Sequence, residues 1–217
     1  MQALDVFLSR LLPSVNGCPD PLARQALIDA AIEFCEETQV VQVTSEPQGV
    51  TKAVGVYDLD MPAQQGVVVT LKAWYGVTPL QPAPITAVNS ILAYVSSAGT
   101  DTPTLGTPAY FYEFSPAVIG VYPVPDSTAE SMFSARVATK PLRSATQVED
   151  VLYNDWVEAI VCGAKYRLHS MPEQFFSSDA KAAQALAQFR GQVIRAKSAG
   201  LRGRVSSSLA VSPVRFA

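Results

Sequence analysis

The sequence predicts an α+β protein, mainly an α-helical bundle of about four helices, with a β-rich antiparallel insertion and an extended C-terminal arm. Apolar residues recur at helical spacing near both ends of the chain, and short β-rich runs fill its middle. The last residues are basic and interrupted by Gly, Ser and Pro. We expect one domain over residues 1–200, with helices over about 3–38 and 146–200 and the insertion over about 40–140. The arm is residues 201–217.

Two helices are predicted in the first forty residues. The second begins with Asp20 as its N-cap and Pro21 at the first helical position. Its apolar side chains form two neighbouring stripes, one of Leu27, Ala30, Ala31 and Phe34 and one of Ile28, Ile32 and Cys35. Two adjacent stripes predict a helix that is buried over more than half of its circumference.

The middle of the chain reads as a series of short strands. The predicted strands are Val40–Thr44, Val50–Leu59, Val67–Tyr75, Ala87–Val95, Ala109–Phe114, Val118–Tyr122 and Met132–Thr139. Eight of the sixteen prolines fall between Pro79 and Pro125. Because proline cannot donate to a strand ladder, this density favours an antiparallel sheet with long irregular connections over a regular parallel sheet.

The chain becomes helical again after about residue 146. Thr146-Gln-Val-Glu149 is a capping-box pattern, and apolar residues at helical spacing follow it as far as His169. Met171-Pro172 then ends that helix. A last helix is predicted from a Ser178 cap to Gly200, with the apolar stripe Ala182, Leu186, Phe189 and Val193.

Charge is distributed unevenly along the chain. Residues 1–160 carry 7 basic and 17 acidic side chains, a net charge of −10, whereas residues 161–217 carry 9 basic and 2 acidic ones, a net charge of +7. This asymmetry indicates an acidic partner for the C-terminal part, either nucleic acid or an acidic protein surface. The arm is too short to bury its own apolar side chains, so we expect it to order on that partner.

The sequence favours no catalytic or metal-binding site. His169 is the single histidine, and Cys162 lies seven residues earlier, about 10 Å along a helix and too far for a catalytic pair. The carboxylate pairs are Asp29 with Glu33, Glu33 with Glu37, Asp58 with Asp60, Glu149 with Asp150 and Asp155 with Glu158. Solvated faces produce the same spacings. We expect no enzymatic activity, no cofactor and no metal.

Two further features bound the possible partners. No apolar run approaches the roughly 20 residues of a membrane span, so no membrane partner is expected. Alternation in a strand would place Tyr110, Tyr112 and Phe114 on one face and Phe111 on the other. Such a face could stack nucleic-acid bases, but no basic residue lies within ten residues of it. A core or subunit contact is therefore the favoured use.

Several segments, taken in order, resemble the head-to-tail adaptor (connector) proteins of tailed bacteriophages, which are called tail tubular protein A or head completion protein in short-tailed phages. These segments are Gly106-Thr-Pro-Ala-Tyr110, Ile119-Gly-Val-Tyr-Pro-Val-Pro-Asp126, Asn154-Asp-Trp-Val-Glu-Ala-Ile160, Gly163-Ala-Lys-Tyr-Arg-Leu168, Met171-Pro172 and Phe189-Arg190. The similarity covers most of the chain in layout. It departs from a simple match in the long segment from Pro79 to Pro108.

The resemblance implies a structural virion protein at the head–tail junction, assembled in the host cytoplasm. Family members form a ring, here of twelve copies, that binds the portal protein on one face and a downstream tail or nozzle protein on the other. DNA passes through the lumen during genome ejection without sequence-specific binding. The implied portal-binding residues are Arg202, Arg204, Leu209, Val211, Pro213, Val214, Arg215 and Phe216.

Two other classes of function stay open from the sequence. A nucleic-acid-binding protein would use the basic C-terminal helix and arm on phosphates, with binding that falls steeply as salt rises. A virion-associated cell-wall hydrolase would need one of the carboxylate pairs in a cleft.

Overall fold

The computed structural model describes residues 1–84, 86 and 104–201. These residues form two compact units. The helical unit consists of Met1–Val40 and the described residues from Glu149 onward, and the strand unit consists of Val41–Val148. Helices take 38% of the described residues and strands take 30%.

The described helices are α1 (Asp5–Leu11), which a 3₁₀ turn (Leu12–Ser14) follows, α2 (Asp20–Thr38), α3 (Asp150–Asn154), α4 (Val157–His169) and α5 (Asp179–Leu201). The described strands are β1 (Gln2–Ala3), β2 (Gln42–Thr44), β3 (Gln48–Val50), β4 (Val56–Asp58), β5 (Gln65–Tyr75), β6 (Thr78–Pro79), β7 (Gln81–Pro82), β8 (Tyr110–Ser115), β9 (Val118–Tyr122), β10 (Ala129–Pro141) and β11 (Gln147–Val148).

The predicted fold class, a mainly α-helical bundle of about four helices with a β insertion, is wrong. The described residues contain five helices and three sheets, and one of the sheets curls into a half-barrel. Strands account for nearly as many of these residues as helices do. The strand unit spans about half of the chain and has a core of its own, so it is more than an insertion into a bundle.

One cause of the error is the segment after residue 145, where a continuous helix was predicted. The side chain of Gln64 accepts hydrogen bonds from the backbone N–H groups of Thr146 and Gln147, at 2.9 and 3.2 Å. These bonds hold the predicted capping-box segment in an extended conformation. The N-cap of α3, Glu149, makes no side-chain capping hydrogen bond. A second break falls at Trp156, whose backbone is not helical and whose ring lies 5.5 Å from that of Phe34.

The helical unit is built around α2 and α4. As predicted, α2 is buried over most of its circumference, although it begins one residue earlier than expected, with Pro19 as the N-cap and Asp20 already helical. The largest fully buried side chains of this unit are Phe7, Leu11, Val15, Leu27, Phe34, Leu152, Ile160, Leu168 and Phe189. All of them lie within residues 3–38 and 146–200, the two regions in which helices were predicted.

The strand unit contains two sheets around a shared core. The first has the order β2-β10-β5-β6 with β3 also paired to β10, and all of its pairs are antiparallel. The second has the order β4-β9-β8-β7, in which only β7 and β8 run parallel. Tyr57 of the second sheet stacks on Phe133 of the first, with ring centroids 5.4 Å apart. The predicted strand Ala87–Val95 lies outside the described residues.

Candidate functional site

The residues that the resemblance implies for portal binding, Arg202, Arg204, Leu209, Val211, Pro213, Val214, Arg215 and Phe216, lie outside the described residues. The structure does describe α5, the helix that leads to them. The burial of the α5 side chains shows which face of this helix is exposed next to the arm. Their ion pairs show how many of its basic residues remain unpaired within the described residues.

Helix α5 begins at the predicted cap. The N–H of Lys181 donates to Oγ of Ser178 at 3.5 Å, and the N–H of Ala182 donates to the Ser178 carbonyl at 2.9 Å. The buried side chains of the helix recur at three- and four-residue intervals and are Ala182, Ala185, Phe189, Val193 and Ala196. One face of the helix therefore packs against α2 and α4, and the opposite face is open to solvent.

Most of the exposed charged residues of α5 are basic. Lys181, Arg190 and Arg195 are exposed, and none has an ion-pair partner among the residues that the structure describes. Lys197 differs, because its Nζ forms an ion pair with the carboxylate of Glu37 on α2. Lys197, which the sequence placed among the basic residues of the C-terminal part, is thus neutralised by an acid of the same helical unit.

A second ion pair joins α4 to α2. The guanidinium of Arg167 binds the carboxylate of Glu33 and also donates to two backbone carbonyls, that of Gly163 at 3.0 Å and that of Asp29 at 3.3 Å. Three acceptors from two helices fix this side chain. Glu33 and Glu37, which the sequence offered as a carboxylate pair, both serve as ion-pair partners of bases on neighbouring helices.

The remaining carboxylate pairs lie at the surface. Asp150 binds the N-terminal amine of Met1 at 3.0 Å, and Glu158 binds Arg10 at 3.0 Å. Asp58 and Asp60 are exposed at the end of a strand. A hydrolase of the glycosidase type needs a carboxylic acid in a pocket that raises its pKa. The arrangement of these acids is that of solvated and ion-paired groups.

His169 and Cys162 have separate structural uses. His169 is buried, and its Nδ1 lies 2.6 Å from the carbonyl oxygen of Phe176; because a carbonyl only accepts, Nδ1 carries the hydrogen. The Cys162 thiol donates to Oε1 of Gln188 at 3.4 Å. Burial raises the pKa of the Cys162 thiol, and nearby Glu158 raises it further while Lys165 opposes the change. This thiol is held in its unreactive form.

Within residues 1–84, 86 and 104–201, no group of three or more His, Cys, Asp or Glu is placed to hold a metal ion. Over the same residues, no helix is long and apolar enough to cross a membrane.

The strand unit presents the aromatic face that alternation predicted. Phe111 is buried in the core, whereas Tyr110 and Phe114 are exposed, Phe114 to 64%. Tyr112 lies across Gly120, its partner on β9, so closely that a Cβ on that glycine would overlap the Tyr112 ring. Burial raises the pKa of the Tyr112 hydroxyl.

Comparison with known protein families finds that residues 4–215 match the SU10 adaptor protein family. The chain belongs to the SU10 adaptor protein family. The resemblance to phage head-to-tail adaptors is thereby confirmed, and with it a structural role for this phage adaptor. A search of curated proteins finds no match to the sequence.

One surface feature of the adaptor was not predicted. In the connection between α4 and α5, Phe176 is buried while its neighbour Phe175 is fully exposed. The sequence signal was present: a pair of aromatic residues stands in a short polar segment between Pro172 and Ser178, where one helix had been predicted to end and the next to begin. No periodicity applies in so short a segment, so composition alone could not tell which ring faces inward.

Proposed function

We propose that this adaptor forms a ring of twelve copies that docks on the portal protein through its C-terminal arm. The ring connects the capsid to a downstream tail or nozzle protein and leaves a channel through which DNA passes during genome ejection. In the arm, Arg202, Arg204 and Arg215 pair with portal acids, while Leu209, Val211, Pro213, Val214 and Phe216 fill apolar pockets.

The observation that carries the proposal is the chemistry of the C-terminal segment together with the extent of the family match. The match runs to residue 215 and so includes nearly all of the arm. After Asp179 the chain has no acidic residue. An acid-free segment with interspersed apolar side chains suits a groove in an acidic protein better than it suits solvent.

Multivalency supplies the mechanism. One short arm binds weakly, but a ring presents many arms to a symmetric portal at once, and the later binding events are effectively intramolecular. The net charge of −10 over residues 1–160 disfavours adhesion to the DNA that must slide through the lumen. The adaptor thereby binds its protein partner firmly while it leaves the genome free to move.

Removal of the arm tests the docking step. A chain that ends at Leu201 should fail to co-sediment with portal rings, because it lacks every proposed docking residue while keeping the described helices and strands. Replacing Arg202, Arg204 and Arg215 by Gln should weaken binding, and Lys52→Gln with Lys72→Gln, two bases elsewhere on the surface, should leave binding unchanged. Portal binding by the shortened chain that equals that of the full chain would overturn the proposal.

A specific observation keeps nucleic-acid binding as a second candidate. Lys181, Arg190 and Arg195 are exposed on one helix that leads directly into a basic segment. If these bases bind phosphates, affinity for plain duplex DNA should fall steeply with salt and should drop when the three are replaced by Gln. Portal binding in moderate salt together with negligible DNA binding would exclude this candidate.

A further inference from the structure

The connection between α4 and α5 has a defined structure. Beyond the bond from His169 to the carbonyl of Phe176, the N–H of Ser178 donates to the carbonyl of His169 at 3.0 Å. The N–H of Ser177 donates to the carbonyl of Gln174 at 2.9 Å, which closes a turn around Phe175. With Phe176 buried on the inner side, these bonds hold Phe175 outward. We name residues 171–178 the α4–α5 loop.

A fully exposed phenylalanine at the tip of a fixed loop has the properties of a binding anchor. Burial of such a side chain on a partner is favourable, and this gain is not realised within the described residues. Because the loop is held in one conformation before binding, little conformational entropy would be lost on contact. Aromatic anchors of this kind are typical of the centres of protein interfaces.

The same unit also presents a face that could receive an aromatic anchor. Opposite its buried stripe, α5 exposes Ala187, Gly191 and Ile194, and Ile194 is 66% exposed. A Cβ added at Gly191 would meet no heavy atom within 4 Å, so the helix surface there is shallow and open. We name this surface the outer α5 face.

Charge is complementary between the loop and this face. Glu173, two residues before Phe175, is exposed, and Arg190 and Arg195 border the outer α5 face. Among the residues that the structure describes, none of these three charges has an ion-pair partner. An acidic partner could pair with Arg190 and Arg195 on α5, but the same acidic surface would repel Glu173 of the loop. A second copy of the chain satisfies both.

We propose that the α4–α5 loop of one copy docks on the outer α5 face of the next copy, with Phe175 against Ala187, Gly191 and Ile194 and with Glu173 beside Arg190. The contact is heterologous, which means that each copy uses two different surfaces. Contacts of this type form a ring when the rotation from one copy to the next closes. The inference rests on the ring-forming function proposed above, and it names the surfaces that make the ring.

The position of the loop along α5 is compatible with simultaneous portal docking. Helix α5 has 23 residues and is about 34 Å long at 1.5 Å per residue. The loop lies at its N-terminal end and the arm leaves from its C-terminal end. Docking of the arm therefore leaves the loop free to contact a neighbouring copy.

Charge reversal gives the sharpest test, because exposed substitutions of this kind leave the fold intact. Self-association of the full chain is measured by sedimentation velocity over a range of concentrations, and again with portal rings present. Glu173→Arg alone and Arg190→Glu alone should each weaken association between copies by about tenfold or more. The double variant Glu173→Arg with Arg190→Glu should recover a large part of that loss, because the pair is re-formed with opposite signs. Glu46→Arg, a reversal on the strand unit, is the matched control.

Removal of the anchor provides a second, independent measurement. Phe175→Ser should weaken association between copies by about tenfold or more, as expected for an interface anchor. Val77→Ser removes a side chain that is 97% exposed on the strand unit, and it should have no effect. Circular dichroism of Phe175→Ser should match that of the unmodified chain, since Phe175 contributes nothing to the core.

The outcomes separate the inference from the proposed function. If copies associate on the portal and the single charge reversals and Phe175→Ser leave that association unchanged, the inference is overturned while the adaptor function stands. If the single reversals disrupt association between copies and the double reversal restores it, but the adaptor does not bind portal rings, the inference stands and the docking proposal fails. An unmodified chain that never associates, alone or on portal rings, overturns both.

Discussion

Gly163 of α4 lies directly against the ring of Phe189 of α5. A Cβ built on this glycine would stand 3.0 Å from Cε2 of Phe189 and 2.9 Å from Cβ of Ala30 on α2. Helices α2, α4 and α5 thus pack closely together at Gly163, which has no side chain. Because packed interiors have few voids, this approach of the helices requires glycine at that point.

Gly163→Ala should destabilise the adaptor, whereas Gly191→Ala should stabilise it. The methyl group at position 163 has no room, and overpacking of a core costs about 1–3 kcal/mol. The methyl group at position 191 meets open space, and replacement of a mid-helix glycine by alanine gains about 0.5–1 kcal/mol. Urea titrations of both variants measure these changes. Free-energy changes of the same sign in the two variants would contradict the packing described for Gly163.

Gly120→Ala should destabilise the strand unit through Tyr112. The added methyl group would overlap the Tyr112 ring, so the ring must move off the sheet at a cost of about 1–3 kcal/mol. In a Tyr112→Ala background the same substitution should cost much less, since the overlapping group is gone. A double-mutant cycle in urea measures the coupling between the two positions. Additive effects would mean that the ring does not cover the glycine.

Arg167→Lys should destabilise the helical unit even though the charge is retained. The planar guanidinium reaches Glu33 and two backbone carbonyls at once, and an ammonium group cannot reproduce that geometry. We expect a loss of about 1–2 kcal/mol in the free energy of unfolding. Arg10→Lys is the control, because the ion pair of Arg10 with Glu158 is exposed and such pairs contribute little. Equal losses in the two variants would contradict the bridging role of Arg167.

The thiols of Cys18 and Cys162 should react slowly with thiol reagents in the folded protein. They should also make the free energy of unfolding fall as pH rises in the alkaline range. Burial raises the pKa of both thiols, and nearby Asp20 raises that of Cys18 further. Above the ordinary thiol pKa the unfolded chain loses these protons while the folded chain keeps them, so the free energy of unfolding should fall as pH rises in that range. Ellman's reagent in native and urea-unfolded protein, and unfolding titrations at several alkaline pH values, check both expectations. Native thiols that react as fast as unfolded ones would contradict them.

Alternation allowed several strands of the strand unit to be predicted, although the predicted strand Val50–Leu59 is instead two short strands, β3 and β4. The predicted strand Val118–Tyr122 has the observed bounds, and Met132–Thr139 lies within β10. The opposite facing of Phe111 and Phe114 also follows from the period of two. These features depend on neighbours within a few residues, which is the range over which a pattern carries information.

Other features depend on distant residues and could not be predicted. Thr146 reads as a helix cap until Gln64, 82 residues away, supplies its hydrogen-bond acceptor. Lys197 reads as part of an exposed basic surface until Glu37 is folded against it. For the candidate site, composition predicted the arm as an interaction element, but it could not tell which of Phe175 and Phe176 faces outward.

Co-sedimentation of the full chain with purified portal rings in moderate salt is the decisive measurement for portal docking. We expect the adaptor to co-sediment at twelve copies per portal ring and the chain ending at Leu201 to stay in the supernatant. The complex should survive moderate salt because apolar arm residues contribute to it. No association with portal rings, accompanied by salt-sensitive binding to plain DNA, would overturn portal docking and support nucleic-acid binding.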